Sequence, residues 1–283
     1  MKFGRRGIRL WLSAMACSTK TTAKRDIGRC SGYWILFVCL AFISTGDAKA
    51  TTLEEAETAY AEGRYLEAAR MAEKAGGASG FALAANSLNT HALYYAEKDE
   101  QSGLFRHAMD LAERAIEIDP KSLRGHFELV RAMGKYAQGI GRVKAMNEKY
   151  AEQIREHLEF ALSLDDNFAD AHLALGSWHA GLVEVMGSFL AGILFGANRK
   201  DAVFHIERAL DLDREGIDIH YGSANGFLAL GKRKYRKKAE DLLSRVAELP
   251  VQESYQASIQ EKAVQRIKEL NSPKDTNSPL NDR

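Results

Sequence analysis

The sequence predicts an all-α chain: a right-handed superhelical solenoid of about five stacked helix pairs, finished by a C-terminal capping helix. Three observations predict it. The segments Leu111–Pro120, His157–Asp166 and His205–Arg214 rhyme, with a small residue at Ala115, Ala161 and Ala209 and a closing aspartate at Asp119, Asp165 and Asp213, both at spacings of 46 and 48. Self-similarity at that period is the mark of stacked helical hairpins, each burying its apolar side against the next. The chain has only 4 prolines, and its windows are rich in alanine and leucine, which favour helix. No alternating apolar and polar run bounded by turns reads as a strand.

The amino terminus is set apart. Tyr33 to Thr45 is a 13-residue apolar run, too short for a spanning helix of about 20 residues but suited to a signal-peptide core. Arg25 and Arg29 precede it, and Ala48-Lys49-Ala50 follows as an A-x-A site. These features predict a leader over residues 1–50, opened by Met1 or Met15 and cut after Ala50; an uncleaved anchor is the alternative. Cys17, Cys30 and Cys39 all lie in the leader, so the remainder has no thiol chemistry. The charge balance changes too. The full chain has 39 basic and 38 acidic residues, the leader nine and two, which leaves 30 against 36. A net of −6 gives no reason to expect nucleic-acid binding.

Beyond the leader, helix pairs follow in order over 51–270. Leu53 to Ala75 reads as the first, turning at Gly63, with Ala68, Ala72 and Ala75 as small packing positions. The second spans about Phe81 to Pro120, with its turn placed at Gly103 and a solvated acidic stretch at Glu97–Glu100. The third opens at Ser122, an N-cap candidate, bends at Gly139 and Gly141, and continues from Tyr150 to Leu164. The fourth runs from Ala169 to Asp213, and the fifth from Ile217 through Gly231 to about Pro250. Gln256 to Leu270 has Ile259, Ala263, Ile267 and Leu270 on one side, as a capping helix requires. Residues 271–283 are polar and read as a disordered tail.

Leu53 to Ala75, with its Gly63-x-Tyr65 turn and small residues at Ala68, Ala72 and Ala75, resembles a tetratricopeptide (TPR) repeat. A narrower likeness covers about 120–270. Leu175-Gly176-Ser177-Trp178-His179-Ala180, Leu194-Phe195-Gly196, Ala209-Leu210 before Asp213, Leu228-Ala229-Leu230-Gly231 and Glu248-Leu249-Pro250 resemble the regulator-of-microtubule-dynamics family and its bacterial relatives. The TPR component of TRAP transporters is similar in the same region. The resemblance implies a fold rather than an activity.

His126, His172 and His220 recur at one position of three first helices, 46 and 48 apart. Equivalent residues of stacked repeats lie about 10 Å or more apart, too far to share one zinc with bonds near 2 Å. They are expected to fill the seam between paired helices, as is His179. No metal and no cofactor is expected.

Three surfaces are candidates for binding. First helices line the concave face of such a solenoid, and counting along the third and fourth pairs puts Arg124, Phe127, Arg131, Asp170, Leu173 and Ser177 there. A mixed apolar and charged groove suits a peptide or helix from another protein. Gly181 to Ala197 holds one charge, Glu184, and Val185, Met186, Phe189, Leu190, Ile193, Leu194 and Phe195 are candidates for the wall of an apolar pocket. Lys232, Arg233, Lys234, Arg236, Lys237 and Lys238 put six cations into seven residues, able to attract anionic lipid head groups.

Catalysis has no support in the sequence: there is no Gly-rich phosphate loop, no GxSxG and no cysteine nucleophile after the leader. The reading is an exported, non-catalytic scaffold of the bacterial periplasm that engages another protein or peptide through its concave face. The alternative is a carrier or sensor of an apolar ligand or lipid, using 181–197 and 232–238.

Overall fold

A computed structural model describes residues 44–272, apart from 142, 143, 145 and 147. The predicted leader core up to residue 43, the leader cysteines and the tail beyond 272 lie outside the described residues. Every regular element among the described residues is helical. In order they are α1 (Ser44–Ala61), α2 (Tyr65–Ala75), α3 (Gly77–Tyr94), α4 (Lys98–Ile118), α5 (Leu123–Ile140), α6 (Tyr150–Leu164), α7 (Ala169–Phe195), α8 (Arg199–Leu212), α9 (Ile217–Glu248) and α10 (Gln256–Leu270). They form an α-solenoid of helix pairs. α1 runs through the predicted cleavage site at Ala50.

Local chemistry sets the boundaries. Gly63 turns α1 into α2 with φ 80°, a left-handed conformation that glycine takes without a Cβ penalty. Ser122 caps α5, its hydroxyl accepting from the Gly125 N–H at 3.2 Å. The Asn198 side chain caps α8 by accepting from the Asp201 N–H at 2.9 Å. The turn of the second pair is at Tyr95–Glu97, not Gly103, which sits exposed inside α4. Asp99 and Glu100 occupy the first turn of α4, where acids complement the helix dipole. The acidic run therefore starts a helix, and Gly103 is carried within it.

Two long helices are bent. Gly187 (φ 80°, ψ 158°) breaks α7, and Gly231 (φ 152°, ψ 101°) breaks α9. About Gly231 the chain folds into a hairpin: Phe227 and Tyr235, four residues either side, bring their rings to 5.3 Å. Ile217 and Leu249, from opposite ends of α9, join one apolar cluster with Ile259 of α10.

The repeated alanines Ala115, Ala161 and Ala209 are all fully buried. The tightest seam is at Ile206 of α8, also fully buried. A Cβ added to Gly176 of α7 would stand 2.7 Å from Ile206 Cγ1, and one added to Gly226 of α9 would stand 2.7 Å from its Cδ1. Two glycines thus let three helices close on one isoleucine. Such close-packed burial of an isoleucine contributes about 1.5–3 kcal/mol.

The solenoid also curls back on itself. The segment before α10 reaches the first two helix pairs: Ser254 Oγ donates to the Ala61 carbonyl at 3.5 Å, and Tyr255 stacks on Tyr94 of α3. The ends of the repeat array meet, and the inner surface becomes a recess.

Candidate functional site

The recess is lined by the first helices of successive pairs. Tyr60 comes from α1, Asn86, Asn89, Thr90 and Tyr94 from α3, and Arg124, Glu128, Arg131 and Lys135 from α5. Asp170 and Asp218 come from α7 and α9. The segment before α10 and α10 itself add Glu253, Tyr255, Gln256 and Lys262.

At its base lies Glu128, whose side chain has no exposed surface. Arg131 Nη1 donates to Glu128 Oε2 at 2.8 Å and to Asn86 Oδ1 at 2.8 Å. Asn89 Nδ2 donates to the Glu128 carbonyl at 3.0 Å and to Oε2 at 3.1 Å. Arg124 Nη1 stands 3.6 Å from Oε1. A buried carboxylate held by two guanidiniums and an amide is a fixed piece of architecture, because removing its partners would strand a charge. Burial by itself would lower the Arg131 pKa; Glu128, with Tyr60, Tyr94 and Tyr255, outweighs it and raises the pKa.

The opposite wall belongs to the closing segment. The Tyr94 and Tyr255 rings stack at 4.9 Å, and Lys262 Nζ lies 4.7 Å above the Tyr94 ring. Tyr255 donates its hydroxyl proton to Asp218 Oδ2 at 3.0 Å, and Gln256 Nε2 donates to the same oxygen at 3.3 Å. Tyr60 and Thr90 share a hydrogen bond of 3.2 Å. Burial, reinforced by Glu253 for Tyr60 and by Asp218 for Tyr94 and Tyr255, raises all three tyrosine pKa values.

Protein surrounds this recess, yet water reaches it. Lys135 is an exposed side chain whose pKa is nonetheless lowered, first by burial and then by Arg131 and Lys262. Asp170, half-buried, has its pKa raised by burial against the pull of Arg124 and Arg131. Low dielectric on several sides strengthens every charge inside.

Of the six residues predicted for the concave face, Arg124, Arg131 and Asp170 meet there. Phe127 is buried, its ring 5.2 Å from Phe168. Leu173 presses on Gly222, where an added Cβ would stand 2.6 Å from Leu173 Cδ2, and Ser177 abuts Gly226. Leu173 and Ser177 are taken up because α7 and α9 approach too closely to leave them free, and Phe127 packs between α5 and the start of α7. Glu128 was legible as the middle of an Arg124-x3-Glu128-x2-Arg131 stripe on one helix face. The contribution of Tyr255 and Lys262 was not, since it depends on the array closing.

The apolar residues of α7 do not enclose a pocket. Val185, Phe189, Leu190, Ile193 and Leu194 are all exposed, Phe189 at 76% and Ile193 at 66%, while Met186 and Phe195 are half-buried. The bend at Gly187 turns the segment along the surface, so only its Ala191 side reaches the core. The basic cluster follows the bend at Gly231. Lys238 pairs with Glu207 at 2.7 Å, and Arg236 with Glu240 at 2.7 Å, while Arg233, Lys234 and Lys237 are exposed. The side chain of Lys232 is outside what the structure describes.

The recurrent histidines form pairs. His126 Nδ1 lies 2.8 Å from His157 Nδ1, and His172 Nδ1 lies 2.8 Å from His205 Nδ1. His126 Nε2 also contacts the Pro120 carbonyl, and His172 Nε2 the Asp166 carbonyl, each at 3.0 Å. A carbonyl only accepts, so neutral His126 and His172 carry hydrogen on Nε2 and accept at Nδ1 from their partners. The partners, His157 and His205, open two of the three rhyming segments. His220 bonds its own helix, through Gly216, and His179 Nδ1 accepts from the Asn198 N–H at 3.3 Å.

A sequence profile of the regulator of microtubule dynamics protein 1–3 family matches residues 48–271. The chain belongs to this family. The match takes in the closing helix α10 as well as the helix pairs. Among solved structures, the chain is similar to a thermophilic TPR protein of Thermus thermophilus, with a TM-score of 0.54 and 21% identity over 78% of this chain and 98% of that one. That likeness is one of fold: a TPR-type solenoid. No curated protein matches.

Proposed function

We propose that this regulator-of-microtubule-dynamics family chain is an exported, non-catalytic scaffold whose recess holds a segment of another protein. The observation that carries the reading is the recess itself: charges of both signs fixed at its base, three tyrosines on its walls, and access for solvent at Lys135. An extended or helical segment bearing both acidic and apolar side chains complements that surface, since the Lys262 cation sits over the Tyr94 ring and Lys135 stands exposed within its electrostatic reach. The apolar run Tyr33–Thr45 and the A-x-A site at Ala48–Ala50 support export, and the periplasm of a bacterium is the proposed compartment.

The test is selection from a displayed peptide library on the purified protein, repeated with Lys135→Glu and Lys262→Glu. Arg131 is a poor choice for this purpose, because its loss would strand Glu128. Enriched peptides that share acidic and aromatic positions and lose at least tenfold in affinity for the double variant support the groove reading. Peptides that bind both proteins equally, or no enrichment at all, oppose it.

A further inference from the structure

One edge of the solenoid brings together the two surface features that the groove leaves unused. After the bend at Gly187, residues 188–195 form a short helix lying on the protein. Ala191 is fully buried against the core, whereas Phe189, Leu190, Ile193 and Leu194 share the opposite, exposed side. Soluble proteins rarely expose large apolar side chains in such a contiguous group without a use for them. α7 as a whole is long and apolar enough to cross a membrane, with a mean hydropathy of 1.4 in its best window. Its first half is committed to the core through Leu175, Trp178, Ala180 and Val183, and Gly187 interrupts it. The second half can therefore lie on a bilayer but not span it.

The cations stand at the same edge. Arg199 joins the two bends: its Nε donates to Ser188 Oγ at 3.0 Å, and its Nη1 donates to the Leu230 carbonyl. One guanidinium thus bridges the first residue after Gly187 and the last before Gly231. Arg233, Lys234 and Lys237 follow that second bend, exposed, and Lys200 is exposed beside Arg199. Lys238 and Arg236 are engaged by Glu207 and Glu240, so the exposed charge concentrates near the bend. Glu184, exposed one turn before Gly187, is the lone acid of residues 181–197. The rest of the chain after the leader is net acidic, which makes a local cationic edge beside an apolar helix a selective feature.

We propose that this edge docks on the surface of an anionic phospholipid bilayer, with Phe189, Leu190, Ile193 and Leu194 entering the acyl boundary and Arg233, Lys234 and Lys237 meeting the head groups. Apolar burial and charge attraction act together in such peripheral docking, and neither suffices alone.

Hydrogen exchange of the full chain tests this, because each segment reports separately from the apolar run at 33–45. Vesicles of phosphatidylcholine with one-third phosphatidylglycerol are compared with phosphatidylcholine alone. The expected result is added protection at 188–195 and 233–238 with the anionic vesicles only. Phe189→Asp with Ile193→Asp abolishes it, and Arg233→Glu with Lys234→Glu weakens vesicle binding by about 25-fold, roughly fivefold per cation lost. Circular dichroism shows both variants folded, as befits exposed positions. Protection confined to 33–45 would overturn the proposal. So would protection of 188–195 that rises with protein concentration in the absence of vesicles, which would assign the ridge to a second copy of the chain.

Discussion

Tyr94 of α3 stacks on Tyr255, just ahead of α10, with ring centroids 4.9 Å apart. The pair joins the second helix pair to the end of the solenoid and turns a row of hairpins into a closed curl. Beside it, Tyr255 binds Asp218 and Lys262 covers Tyr94. Replacing either tyrosine by alanine is expected to destabilise the fold. In a double-mutant cycle read by urea unfolding, the coupling between them is expected to be about 1 kcal/mol.

Glu128 is a second fixed point. Its carboxylate is enclosed, and Arg131, Arg124 and Asn89 converge on it. Glu128→Ala leaves Arg131 inside the recess without its counter-charge and is expected to cost about 3–5 kcal/mol in unfolding free energy. Arg124→Ala removes a longer and more exposed contact, with 56% of the Arg124 side chain in solvent, and is expected to cost about 1 kcal/mol or less. Denaturant titration of the two variants separates the cases.

The seam at Ile206 gives opposite perturbations of one site. Ile206→Ala opens a cavity between α7, α8 and α9 and is expected to cost about 2–5 kcal/mol. Gly176→Ala drives a methyl to within 2.7 Å of Ile206 Cγ1 and 3.0 Å of its backbone nitrogen, and is expected to cost about 1–3 kcal/mol by overpacking. Thermal melts of both variants check the ordering.

The histidine pairs make stability depend on pH. Burial, then the neighbouring His172 and His179, lowers the His205 pKa from 6.5 to about 4, with Asp201 opposing. Burial and His126 lower His157 as well. An unfolded histidine takes up a proton near 6.5, while the folded His205 resists protonation until about pH 4. The contribution is therefore complete above pH 6.5 and is lost as pH falls toward 4. Melting temperature is expected to decline over that window, and His205→Leu is expected to flatten the decline while lowering the plateau, since His172 Nδ1 then has no donor.

Much of the fold was legible in the sequence because repeats encode it locally. Ala115, Ala161 and Ala209 mark second helices, Ser122 marks a cap, and Gln256–Leu270 carries an amphipathic period that the structure matches. Gly103 misled because glycine permits a turn without imposing one, and the acids at Asp99 and Glu100 start the helix earlier. The concave face was half legible. Residue counting finds which helix faces inward, and so found Arg124, Arg131 and Asp170. It does not find how tightly neighbouring helices approach, and so offered Leu173 and Ser177, which are taken up by Gly222 and Gly226. Nor does it show curvature, an accumulated property of all the seams, which is why Tyr255 and Lys262 escaped notice.

The closed curl is the premise of the recess, and one cross-link tests it directly. A Cβ added to Gly63 would stand 3.1 Å from Ser254 Cβ. Gly63→Cys with Ser254→Cys, in a chain whose Cys17, Cys30 and Cys39 are serine, therefore places two thiols within disulfide reach. The left-handed φ at Gly63 costs a cysteine roughly 1–2 kcal/mol, which the fold tolerates. Mild oxidation is expected to give rapid, monomeric, quantitative cross-linking that raises the melting temperature. In an uncurled row of five pairs the same positions stand on the order of 40 Å apart, at a helix spacing near 10 Å. Thiols that stay free, or that join only between molecules, would contradict the account.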